Sequence, residues 1–207
     1  MRQRTIKVFN LNSNHSLYVE YGNLFESGEI NEKKNIVFAG NSCFDTIVDD
    51  DLIGTRKIHG MALDRIYENE NRAPEDLNSE IQSNLALHGY QSEIIDLSEK
   101  RKGNLRRYEI GAVAEIKGRY NERYFILGLT YFDSELRAQV EKDEYIRAIS
   151  ALIKYISNRS QGFPTYMPVV GAGGSDVGEV NELLEYMIKT VKLFRNKLGS
   201  SPKCGVN

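Results

Sequence analysis

The chain has 207 residues, 41% hydrophobic and 27% charged, enough to bury a sizeable core in one large domain or two small ones. Its longest apolar run, 124–132, is too short for a membrane span, and the charged opening Met1-Arg2-Gln3-Arg4-Thr5 leads into no apolar signal region. A net charge of −2 gives no general pull toward nucleic acid, and two distant cysteines with three histidines and no CxxC pair argue against a disulfide framework or structural zinc.

Residues 4–9 and 17–21 predict two short strands around the turn Asn12-Ser13-Asn14. The apolar run 36–39, stopped by Gly40-Asn41, suits a buried strand ending in a loop. Asp49-Asp50-Asp51 open a polar bend, followed by a helical pattern with Ile58, Met61, Ala62 and Ile66 on one face. Residues 69–78 read as a polar surface connection and 79–87 as a short helix. Over 107–116 the pattern alternates, with Tyr108, Ile110, Ala112, Ala114 and Ile116 sharing a face. A turn at 117–121 and a strand over 123–132 complete a hairpin, apolar enough at 125–129 for the centre of a sheet.

Residues 141–156 carry Tyr145, Ile149, Leu152, Ile153 and Ile156 at the helical period. A strand over 165–170 then runs through a glycine loop into a long helix over 177–198. Val180, Leu183, Leu184, Met187, Val191 and Phe194 form its inner face. No repeat, low-complexity stretch or composition break marks a second domain. Strands mixed with helices throughout predict one α/β domain over 1–207, with a core of about 17–198, a short tail at 199–207, and a sheet covered on both faces.

The strongest chemical signal is Gly171-Ala172-Gly173-Gly174-Ser175-Asp176, between a strand and a helix. Glycine permits φ > 0 and close backbone approach, and a helix start offers free N–H groups and a dipole that favours anions. Such a loop can cradle a diphosphate. It is neither a P-loop nor a full GxGxxG fingerprint, and a tight turn capped by Ser175 or Asp176 explains it equally well.

A second signal follows the strand at 36–39: Asn41 could bond sugar hydroxyls, Asp45 a ribose, and Phe44 could stack on a base. Read alone, a turn asparagine and a core phenylalanine account for it better. A third is Tyr21-Gly22-Asn23-Leu24-Phe25, where the Asn23 amide suits an adenine edge, although a β-turn is the simpler local reading. His59, beside Gly60 at a helix start, can approach a ligand or be structural. There is no HExxH and no GxSxG, and Cys43 has no histidine at suggestive spacing, so nucleophilic catalysis is unsupported. The run 100–107 holds five positive charges and reads as a solvated loop, with a phosphate, nucleic-acid or anionic-lipid contact as the alternative.

Taken in order, the segments 22–25, 41–46, 58–60, 108–112, 127–130 and 167–175 resemble a macro domain, the ADP-ribose-binding module, over about 17–198. More closely, they resemble the macro domains of bacterial Thoeris antiphage-defence effectors. The resemblance implies a three-layer α/β/α macro-domain fold with a mixed, mainly parallel six-stranded sheet. It also implies ADP-ribose or a derivative in a crevice at the strand ends, with no cofactor and no metal. By position, Asn23 would contact adenine where the family usually has an aspartate, the neutral amide replacing a charge, and Leu24 would offer its N–H beside the base. Asn41 would lie near the distal ribose, with Phe44, Asp45 and Thr46 in the loop that follows. Gly171, Ala172, Gly173, Gly174 and Ser175 would wrap the diphosphate opposite Gly111, and His59 completes the set. Family hydrolases follow the asparagine with a run of glycines. Here 48–56 contains only Gly54, so a water-positioning backbone is not evident and no catalytic residue is assigned.

The implied function is a non-catalytic sensor, without a nucleic-acid partner, for an ADP-ribose-derived signal that a TIR enzyme makes from NAD. Its binding would switch an effector. In one Thoeris branch the domain is fused to transmembrane helices and the signal is an amino-acid conjugate of ADP-ribose. Phe44, Asp45, Arg56 and His59 are the candidates for holding the conjugated group. No such helices occur here, which implies an excised soluble fragment or an effector portion acting elsewhere, in the cytoplasm or tethered to a membrane. The second reading is an ADP-ribosyl hydrolase in which Asn41 and Asp45 place a water. The third is a nucleic-acid module built on 100–107.

Overall fold

The structure is a computed structural model that describes residues 4–11, 16–28, 32–119, 121–173, 177–194 and 202–206. A hairpin of β1 (Arg4–Asn10) and β2 (Ser16–Tyr21) leads through a single 3-10 turn, Leu24–Glu26, to β3 (Lys34–Asn41). The turn expected at 12–14 lies outside the described residues. Helices α1 (Ile58–Glu70) and α2 (Pro74–Leu87) follow, then a separate ribbon of β4 (Ser92–Ile94) and β5 (Arg106–Tyr108). β6 (Val113–Lys117) and β7 (Glu122–Phe132) form a hairpin, and β8 (Ala138–Gln139) folds back on the end of β7. The remaining elements are α3 (Lys142–Arg159), β9 (Thr165–Pro168), α4 (Val180–Phe194) and β10 (Pro202–Val206).

The main sheet has eight strands in the order β1-β2-β10-β9-β3-β7-β6, with β8 paired to β7. Its centre, β2 to β7 in that order, is parallel, and β1, β6 and β8 run antiparallel to their neighbours. The fold is therefore of the expected α/β class with a mainly parallel core. The count is eight rather than six partly because the segment expected as a tail supplies β10, and because β8 is a two-residue return that no sequence period announces.

Both faces of the sheet are covered, which is why the middle of β3, 36–39, and of β7, 124–129, read as continuous apolar runs. On one face Val37, Phe125 and Leu127 pack with Ile149 and Ile153 of α3 and Met187 of α4. On the other, Ile36, Phe38 and Ile126 pack with Leu63 and Ile66 of α1 and with Leu77, Ile81 and Leu85 of α2. Each fully buried Leu or Ile contributes about 1.5–3 kcal/mol relative to exposure.

Three local expectations change. The alternating stretch 107–116 is two strands, because the chain turns at Gly111, whose φ of +97° suits glycine. The connection expected over 69–78 is only 71–73. α2 already begins at Pro74, where the missing N–H of a first-turn proline costs no hydrogen bond. Met61 and Val180, assigned to inner faces, are 40% and 41% exposed. Among the described residues no helix is long and apolar enough to cross a membrane.

Candidate functional site

β9, β3 and β7 are adjacent and parallel, so their C-terminal ends open on one edge of the sheet, where the following loops diverge. A cavity of about 790 Å³ lies there. Ala39, Gly40 and Asn41 enter it from β3, Leu129, Thr130 and Phe132 from β7, and residues 168–173 from β9. Segments 50–54 and 56–59, with Leu136 and Ala138, supply the remaining wall.

The glycine loop is fixed from behind. The Tyr145 hydroxyl, on α3, donates to the Val170 carbonyl at 2.9 Å. Gly171 has φ +89°, and a Cβ there would meet the Tyr145 ring at 2.8 Å, so glycine is required twice over. Across the cavity, α1 starts after Lys57 with no side-chain cap, and Ile58 and His59 line the wall. The positive end of the helix dipole is thus presented where an anion would sit. Lys57 Nζ donates to the Gly173 carbonyl at 3.1 Å, tying the two sides together.

The acidic loop 49–55 is held by its own carboxylates. Asp49 accepts from the Asp51 and Leu52 N–H groups and pairs with Lys102. Asp50, at φ +62°, accepts from the Thr55 N–H and hydroxyl at 2.8 and 2.9 Å. Asp51 pairs with Arg101 at 2.5 Å and Lys102 at 3.0 Å, and the Arg101 bond is the main cause holding its pKa down at about 2. The basic run lies at the surface as expected, except for Lys100, but its cations are not free. Arg101 and Lys102 meet this acidic loop, Arg107 meets Glu93 and Glu99, and Lys100 is fully buried against Asp45 at 2.8 Å.

The family model for the macro domain of Thoeris protein ThsA matches residues 17–203. The chain belongs to that family. It is 28% identical over 199 residues to the Thoeris protein ThsA of Bacillus amyloliquefaciens (strain Y2), covering 94% of this chain and 62% of the relative. This ThsA-type macro domain therefore spans less than two thirds of that relative's length. Among solved structures, the Oceanobacillus iheyensis macrodomain with ADP aligns with a TM-score of 0.58 at 14% identity, covering 100% of this chain and 90% of that one. The same macrodomain with MES bound aligns at 0.55 and 14%, covering 99% and 89%. These likenesses establish the macro-domain fold.

The residues singled out in the sequence separate into two groups in this macro domain. Asn41, His59, Gly171, Ala172 and Gly173 line the cavity, as does Arg56. Asn41 is buried, and its Oδ1 accepts from the Cys43 N–H at 3.0 Å. His59 lies over Gly40, its ring 5.7 Å from that of Phe38. Burial pushes its pKa down to about 4, opposed by a hydrogen bond to the Asp45 main chain, so the imidazole is neutral at pH 7. Gly174 and Ser175 lie outside the described residues.

The others stand behind or beside the cavity. After β3 the chain turns sharply, Phe44 N–H donating to the Asn41 carbonyl at 2.9 Å with Phe44 at φ +52°. That turn sends Phe44 into the core, edge-on to Tyr108 and against Gly128. Asp45 is buried between Lys100 and the Asn104 N–H, 2.6 Å away, and burial lifts its carboxyl above the ordinary value against the pull of both. Thr46 donates to the Pro74 carbonyl at 3.2 Å and accepts from the Tyr67 hydroxyl. Burial likewise pushes the Cys43 thiol up to about 11, which disfavours the nucleophilic thiolate. Gly111 packs on Ala148 of α3 and donates to the Gly128 carbonyl at 2.8 Å.

Asn23 follows β2, so β10 and β9 stand between its strand and β3. There it caps the 3-10 turn, accepting from the Phe25 N–H at 3.0 Å, and Leu24 is buried beside it. Sequence reasoning missed Lys57, Phe132 and Leu136. Only Lys57 carried a signal, as a cation next to Arg56 just before a helix.

Proposed function

We propose that this domain binds ADP-ribose or a derivative of it in the cavity at the ends of β3, β7 and β9, and serves as a non-catalytic sensor in Thoeris antiphage defence. The observation that carries the reading is the pairing of the Gly171 loop with the uncapped start of α1 and Lys57 on one cavity. Together they make a seat for a diphosphate, and the cavity's about 790 Å³ lies within the range that small-molecule ligands fill. Family membership supports the same ligand class, as does the ADP named in the Oceanobacillus structure.

In this reading a TIR enzyme supplies the signal from NAD in the cytoplasm, as an amino-acid conjugate of ADP-ribose. Arg56 and His59, which line the cavity, would meet the conjugated group, while Phe44 and Asp45 would act by holding the loop beneath. In the same reading the bound signal would switch an effector, transmembrane or not, that lies outside the segment matched to the ThsA relative. Hydrolysis is less well supported. Asp45, one of the two residues that reading needs, faces Lys100 and does not line the cavity, which leaves Asn41 there with its Oδ1 engaged by Cys43.

Calorimetric titration with ADP-ribose, against AMP and NAD, tests the proposal. Micromolar or tighter binding selective for ADP-ribose is expected. Failure of both ADP-ribose and an amino-acid conjugate to bind would sink it. Turnover of an ADP-ribosylated peptide, lost in Asn41→Ala, would replace the sensor with a hydrolase.

A further inference from the structure

β8 returns on β7 through a turn at 133–137. Leu136 N–H donates to the Asp133 carbonyl at 2.9 Å, and Asp133 N–H to the Arg137 carbonyl at 3.1 Å. The Asp133 carboxylate accepts from the Glu135 and Arg137 N–H groups, 2.9 Å each, and from the side chains of Arg137 and Gln139. This is a tight turn closed by a residue in the left-handed region, a position that glycine normally takes. Here it is Leu136, at φ +60°. A Cβ makes that conformation costly, so something must compensate for the missing glycine.

The compensation lies where the side chain goes. Leu136 is 9% exposed and joins the apolar cluster that includes Leu52 and Ile53, with Phe132 packed against it. Leu136, Phe132 and Ala138 also line the cavity. Their flank is at β7, separated by β3 from the glycine loop at β9. The two carboxylates that line the cavity are committed, Asp50 to Thr55 and Asp51 to Arg101 and Lys102; of its cations, Lys57 reaches away toward Gly173 and Arg56 stands before α1 on the wall that segment 56–59 forms. We infer that Leu136 is a specificity-determining residue of this cavity. Held in the left-handed conformation by Asp133, it forms with Phe132 an apolar seat for an uncharged ring at the ligand end beyond the diphosphate.

The inference rests on the proposal that the cavity takes an ADP-ribose-type nucleotide. ADP-ribose and ADP, which lacks the terminal ribose, are the probes, titrated into the wild type, Leu136→Gly and Leu136→Asn. Glycine removes the side chain and the backbone strain together. Asparagine tolerates the same φ and keeps similar bulk but is polar. The wild type is expected to bind ADP-ribose about tenfold more tightly than ADP. Both variants should keep ADP binding within about twofold and lose most of the ADP-ribose advantage. Equal losses for both nucleotides, unchanged binding, or a wild type that does not distinguish them would overturn the inference. If Leu136→Gly does not fold, Leu136→Asn decides. A wild type that binds neither nucleotide fails the ligand reading itself, and this inference falls with it.

Discussion

His59 occupies the space that Gly40 leaves open: a Cβ on that glycine would come within 2.9 Å of the imidazole. The interior of β3 omits a side chain at the point where the start of α1 closes on the cavity. Gly40→Ala is expected to displace the imidazole rather than unfold the domain, costing about 1–3 kcal/mol as an overpacking change. ADP-ribose affinity should fall by more than about tenfold. A thermal melt and a titration on the same variant check both halves.

The neutral His59 ring makes stability depend on pH. Its folded pKa, about 4, lies below its ordinary value of 6.5, so on acidification the unfolded chain takes up the proton first. The contribution is complete above pH 6.5 and is lost as pH falls toward 4, at a slope of up to about 1.4 kcal/mol per unit. Urea midpoints at pH 7 and 5 should show the loss, and His59→Gln should flatten it. An equal slope in that variant would contradict the assignment.

The Asp45–Lys100 pair is the fixed point of the loop beneath the cavity. Lys100→Met leaves a buried carboxylate without its cation and should cost about 3–5 kcal/mol, part of it recovered by adding Asp45→Asn. Gly103→Ala should be severe as well. Its φ is +84°, and a Cβ would meet Asp45 Oδ1 at 2.2 Å. Equilibrium unfolding of the single and double variants measures the coupling directly.

Lys57 should exchange its carbonyl partner for a ligand phosphate. Lys57→Ala is expected to weaken ADP-ribose binding by about tenfold and to reduce its salt dependence, with little change in melting temperature. Titrations at two ionic strengths separate this from a general loss of structure.

Much of this was written in single segments of the sequence. β3 is apolar over 36–39 and β7 over 124–129 because helices cover both faces, and α3 carries its period plainly. The order of Asn41, His59 and the Gly171 loop indicated a site because Asn41 ends β3, the Gly171 loop follows β9, and His59 opens a helix. What the sequence hid depends on distant partners or on single backbone angles. The direction of Phe44 and Asp45 is set by φ +52° at Phe44, which nothing in an Asn-Ser-Cys-Phe stretch foretells. Leucine at 136 conceals a turn that glycine would have announced. The basic run looked free because its acidic partners at 49–51 lie some fifty positions earlier.

β10 shows the same dependence at the scale of the fold. Residues 202–206 have no strand-like alternation, and they form a strand because β2 and β9 leave a place between them. Among the described residues, β10 is the sole ladder joining the β1–β2 hairpin to the rest of the sheet. Lys203 pairs with Tyr18, across nearly the whole chain. Contacts of such separation form slowly, so during synthesis the inner edge of β2 waits unpaired until β10 emerges. Changes in β10 will therefore be felt first as chains lost to aggregation before they finish folding, and only afterwards, if at all, in the affinity of those that succeed.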